Sequence, residues 1–93
     1  MNTLWLLAAK YDGAVMVPLD VVCRDFFQHL TPAQLWRKYN EGDIALPIVL
    51  LDPKSQKTAK GVHLRDLADW IDVRRAAARK EAWQITGAAH LKG

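Results

Sequence analysis

The stretch that decides the fold runs over residues 31–72, TPAQLWRKYNEGDIALPIVLLDPKSQKTAKGVHLRDLADWID. Thr31 brings a hydroxyl that can accept a bond from an unpaired helix N–H, and Pro32 has the fixed φ and missing donor that suit a first helical position. A helix is therefore predicted to start there. Leu35 and Tyr39 lie four apart on one helical face, Gln34, Arg37, Lys38 and Glu41 fall largely around the other sides, and Gly42 is placed for a left-handed C-terminal cap. Next comes an apolar run with a strand expected over residues 48–51, Pro47 being tolerable at a strand start or edge. Residues 52–61 are polar and punctuated by Pro53 and Gly61, after which Val62, His63 and Leu64 resume extended character. The two runs make a hairpin with a long basic tip.

Working outward, Leu4, Leu7, Ala8 and Tyr11 sit at helical spacing until Gly13 stops the pattern, with a strand through residues 4–7 as the alternative. Val15 to Val17 is brief and β-branched, and Pro18 starts a second helical pattern with Leu19, Val22, Cys23, Phe26 and Phe27 inward, ending near Gln28. Only His29 and Leu30 then separate it from the Thr31 helix, the tight spacing of two steeply crossing helices. Downstream, Leu64, Leu67, Ala68 and Ile71 recur at three and four, with Asp66 and Asp69 near the positive end of the helix dipole. This last helix is expected to reach Trp83 or beyond, its Arg74 to Glu81 portion being alanine and charge with little to bury. The expected fold is mostly α with a small β-hairpin, a winged helix-turn-helix with an extended C-terminal helix. Residues 1–86 form the single domain and 87–93 a flexible tail.

A chain of 93 residues with 51% hydrophobic and 25% charged side chains suits one soluble domain and leaves no room for a large enclosed catalytic cavity. Its one cysteine, Cys23, forms no internal disulfide and suits a reducing cytosol. Met1 to Ala9 is apolar but has no basic leader or following cleavage site, and Lys10 interrupts it too early to span a bilayer, so neither export signal nor membrane segment is expected. The net charge of +3 is unevenly spread: residues 1–43 carry four basic and five acidic side chains, residues 44–93 nine and five. Lys54, Lys57, Lys60 and Arg65 form one basic cluster, and Arg74, Arg75, Arg79 and Lys80 another. Both suit a phosphate-bearing partner, although composition alone is served equally by a solvated surface.

With residues 31–42 as a recognition helix and 48–64 as a wing, the chain resembles the small winged-helix DNA binders grouped with excisionases and MerR-type regulators, and more closely the pyocin activator protein PrtN family. The segments that carry the likeness are TLWLLAAKYDG, VPLDVVCRDFFQHLT, ALP and the Ser55-Gln56-Lys57 loop leading to VHLRDLADWID, together covering about residues 3–72. The loop from Lys54 to Gly61 departs from the family pattern in being richer in lysine. The resemblance implies a bacterial or prophage transcription activator that binds double-stranded DNA upstream of bacteriocin or phage-tail genes in the cytoplasm.

B-DNA's major groove admits a helix whose N-terminal turns read base edges. Here those turns carry Thr31, Ala33, Gln34 and Arg37. Gln34 offers a donor and an acceptor to adenine and Arg37 a fork to guanine or a phosphate, while Thr31 and Lys38 suit the backbone. In the wing, Lys54, Ser55, Gln56, Lys57 and Lys60 suit phosphates without fixing much sequence. Trp36 is assigned to the core or its rim. Arg24 reaches either a phosphate or a salt bridge with Asp20 or Asp25.

Arg74 to Lys80 bind flanking DNA or form the wet side of a helix whose Ala77, Ala78 and Trp83 meet a second subunit; a homodimer through this helix is one expected partner and RNA polymerase another. No catalytic or metal constellation is legible. His29, His63 and His90 are scattered, Cys23 has no motif linking it to them, and no cofactor is expected. Two rival functions use the same residues: an excisionase-like architectural protein that bends DNA, and a phage protein that binds another regulator without touching DNA.

Overall fold

The structure, a computed structural model, describes residues 2–54 and 59–86. In chain order it forms α1 (Thr3–Lys10), β1 (Met16–Pro18), α2 (Leu19–Phe26), α3 (Pro32–Asn40), β2 (Val49–Leu50), β3 (Lys60–His63) and α4 (Leu64–Thr86). Helices dominate, and the small antiparallel sheet has the order β1-β3-β2, a winged-helix-like arrangement.

Local signals fix several of the helix ends. Residues 4–7 are helical, not a strand, and Asn2 caps α1 by accepting the Trp5 N–H at 2.9 Å. α2 ends at Phe26, two residues earlier than the apolar spacing suggests, because Phe27 leaves helical geometry with φ −133° while its N–H still reaches the Cys23 carbonyl. The Leu30 N–H then bonds the Phe27 carbonyl at 2.9 Å, and the buried Cys23 thiol donates to the Leu30 carbonyl at 3.1 Å. These bonds close the turn between α2 and α3.

Thr31 and Gln34 form a reciprocal capping box at the start of α3. At its far end Gly42 takes φ 79°, so that its N–H meets the Tyr39 carbonyl and the Asp43 N–H meets the Lys38 carbonyl, a Schellman closure that a side chain at Gly42 would strain.

The sheet differs from the expected hairpin in three respects. β1 joins it as a third strand, aligning Met16, Val17 and Pro18 with His63, Val62 and Gly61. β2 is only Val49–Leu50, shorter than residues 48–51, since Ile48 turns into the core and Leu51 out to solvent. β3 begins at Lys60, so Lys60 and Gly61 lie in the ladder, not in the loop. Gly61 marks a close approach of strands rather than a turn: a Cβ there would lie 2.8 Å from Met16 Cγ and 3.2 Å from the Val17 carbonyl oxygen.

The core draws one fully enclosed side chain from nearly every element: Val17, Val22, Leu35, Val62 and Leu67, with Leu46 from the segment between α3 and β2. Leu64, Leu67 and Ala68 bury the first two turns of α4, and the Thr3 hydroxyl donates to the Asp72 carboxylate to pin α1 against it. Beyond Asp72 nearly every residue of α4 is exposed, although the helix runs on through 23 residues, about 35 Å at ~1.5 Å per residue. Among the described residues no helix is long and apolar enough to cross a membrane.

Because Gly61 is closed in by both a flexible Met16 and the fixed β1 backbone, Gly61→Ala should lower stability by about 1–3 kcal/mol. Urea denaturation checks this; an unchanged midpoint would show that β1 does not lie where we describe it.

Candidate nucleic-acid interface

Leu35, with no exposed surface, fixes how α3 is rotated. Residues 33 and 37 lie two positions either side of it, roughly opposite on a 3.6-residue helix, and both face solvent. Thr31 and Gln34 are also exposed, while Lys38 is half-buried. The sequence-derived reading face is therefore an outward face.

The start of β3 stands against the flank of this helix. Lys60 Nζ lies 5.0 Å from the centre of the Trp36 ring, and Trp36 in turn stacks on Tyr39 with ring centres 5.5 Å apart. Trp36 is half-buried at the core's rim, as its apolar bulk suggested. A cleft of about 230 Å³, lined by Leu19, Asp20, Pro32, Ala59 and Lys60 among others, joins the first turn of α3 to the base of the hairpin. Lys60 thus belongs to β3 and sits beside α3. Lys54 is exposed, its N–H bonded to the Asp52 carboxylate at 3.1 Å. Ser55, Gln56 and Lys57 lie outside the described residues, as does the expected tail of residues 87–93.

The capping box changes what Gln34 can offer. Its Oε1 accepts the Thr31 N–H at 2.9 Å, and Thr31 Oγ1 accepts the Gln34 N–H at 3.1 Å. With the cap intact, one lone pair of the Gln34 oxygen is engaged and the side chain is held by it, leaving the amide N–H donors as its uncommitted groups, and Thr31 keeps a hydroxyl proton to donate. Arg37 carries no such commitment through the cap. The Thr-x-x-Gln spacing announces this box in the sequence.

Away from α3, Asp25 on α2 collects three neighbours from α1, the residue after it, and α2 itself. Arg24 Nε donates to it at 3.0 Å, the Tyr11 hydroxyl at 2.7 Å, and Lys10 Nζ lies 3.8 Å away. Arg24 is therefore in an ion pair with Asp25, not Asp20. The Arg24 hydrogen bond, followed by that of Tyr11, holds the Asp25 carboxyl below the usual carboxylate range, while burial and then the bond to Asp25 push the Tyr11 phenol up. Burial likewise raises the Cys23 thiol, which is inert packing. His63 Nδ1 accepts the Arg65 N–H at 3.0 Å, so this histidine caps α4.

The family model for Pyocin activator protein PrtN matches residues 3–78, most of the chain. The chain belongs to that family. The PrtN family is one of regulatory activators, and the match spans both α3 and the strands that flank it, ending within α4. No curated protein and no solved structure matches the chain significantly.

The Asp25 cluster makes a pH-dependent contribution with a definite sign. A carboxylate whose folded pKa is lowered stabilises the fold at neutral pH, and that stabilisation is lost as pH falls through the folded value. Tyr11→Phe removes one bond to the carboxylate, so it should cost about 1 kcal/mol at neutral pH and shrink the loss of stability on acidification. Urea unfolding at neutral and acid pH reads both effects, and equal pH dependence in the two proteins would contradict the assignment.

Proposed function

We propose that this chain is a sequence-specific, double-stranded DNA-binding transcriptional activator of bacteriocin or prophage genes, working in the bacterial cytoplasm. The observation that carries the reading is the exposed side of α3, with Ala33, Gln34 and Arg37 outward and Lys60 held at its flank, in a chain of the PrtN family.

On this reading α3 enters the major groove. Arg37 forks onto guanine or a phosphate, Gln34 donates from its amide nitrogen, and Ala33 allows close approach to a thymine methyl. Thr31 and Lys38 hold the sugar-phosphate backbone. Lys54, Ser55, Gln56, Lys57 and Lys60 follow the neighbouring backbone, adding affinity with little sequence information. RNA polymerase is the partner through which activation would be delivered.

Selection from random duplex DNA, followed by binding titrations across salt concentrations, tests this. Arg37→Ala should relax preference at one or two base positions at a cost of about 1–3 kcal/mol. Replacing Lys54, Lys57 and Lys60 together should keep the preferred sequence but reduce the salt slope by about 1 for each lysine that meets a phosphate. No affinity for any duplex at low salt would overturn the proposal. Equal loss of affinity on all sequences from Arg37→Ala would remove α3 as the reading element.

A further inference from the structure

The outer half of α4 leaves the body of the protein with a regular face. Asp66, Asp69, Val73, Ala76, Lys80 and Trp83 follow one another at alternating steps of three and four, the a and d positions of a heptad repeat. The order along that seam is acidic, then apolar, then basic and aromatic. Beside its first half runs a groove of about 550 Å³ between α4 and the segment that joins α3 to β2, with apolar walls from Ile44, Pro47, Trp70 and Val73 and an acidic lip that includes Asp43 and Asp66. Beyond the body, Trp83 remains 39% exposed with the Arg79 guanidinium 4.9 Å from its ring centre.

We infer that this groove and seam receive α4 of a second copy of this chain, running antiparallel about a two-fold axis between Val73 and Ala76. In that register Val73 meets Ala76 of the second copy, Asp69 meets its Lys80, and Asp66 meets its Trp83. A parallel pair would set Asp against Asp and Lys against Lys. The antiparallel one brings residues 66–72, with the three carboxylates of Asp66, Asp69 and Asp72, against residues 77–83, with the cations Arg79 and Lys80 and the single carboxylate of Glu81. Trp83 of each copy then lies at the mouth of the other's groove, where an aromatic side chain buries about 150–250 Å².

Charged residues on such a seam fix register and direction at some cost in strength. Each Asp69–Lys80 pair is solvent-accessible and contributes little, so the indole carries most of the affinity and the dimer is concentration-dependent.

Sedimentation equilibrium of the full chain over a range of concentrations tests the pairing, with circular dichroism and thermal melting as folding checks. A monomer–dimer equilibrium is expected, weakened at least about tenfold by Trp83→Ala, as for an interface anchor. Asp69→Lys and Lys80→Asp should each weaken it, and the double variant, which exchanges the charges, should restore it to near the parent's strength. A chain that stays monomeric up to its solubility limit, or single and double charge variants that dimerise alike, would overturn the inference. A duplex bearing one recognition site reports α3 alone, so DNA binding and self-association fail independently.

Discussion

Four consecutive residues, Lys60 to His63, couple nearly everything else. Lys60 pairs with Leu50 and stands over Trp36, which joins the hairpin to α3. Gly61 is flanked by Pro18 on one side and Val49 on the other, and its missing side chain lets β1 approach to a spacing that a Cβ would crowd. Val62 seals the core, and the His63 imidazole accepts the N–H of Arg65, the second residue of α4. A strand this short has little intrinsic stability; it persists because each position serves a different neighbouring element.

The helices were legible because their signals are local. Thr31-Pro32 marks a start, Gly42 a stop, and Leu64, Leu67, Ala68 and Ile71 a buried stripe, all within a few residues of the features they specify. The sheet was less so. Met16 to Pro18 is too short to declare a strand on its own, and its pairing with residues 61–63 spans more than forty positions, which no local pattern encodes. Gly61 was misread for the same reason: in sequence a glycine after a polar run marks a turn, and only the position of Met16 makes it a ladder residue.

For the candidate interface, amphipathic periodicity correctly put Gln34 and Arg37 at exposed positions, Arg37 opposite the buried Leu35 and Gln34 on its flank in the first turn. What periodicity did not supply was side-chain commitment. The Gln34 oxygen is engaged in the cap, and the Lys60 ammonium is drawn over an indole. Both facts depend on exact distances across a turn or between elements. The Asp25 cluster was half visible, since Arg24 is adjacent in sequence whereas Tyr11 arrives from α1.

The reciprocal bond between Thr31 and Gln34 sets a bound on how this chain can diverge. Any residue at 34 that cannot return an oxygen to the Thr31 N–H removes half of the capping box and weakens the start of α3, by about 1 kcal/mol. Ala33 and Arg37 stand outside that bond. Substitution is thereby freer at those two exposed positions than at 34, where the side chain is tied to the start of the helix as well as lying on its outward side.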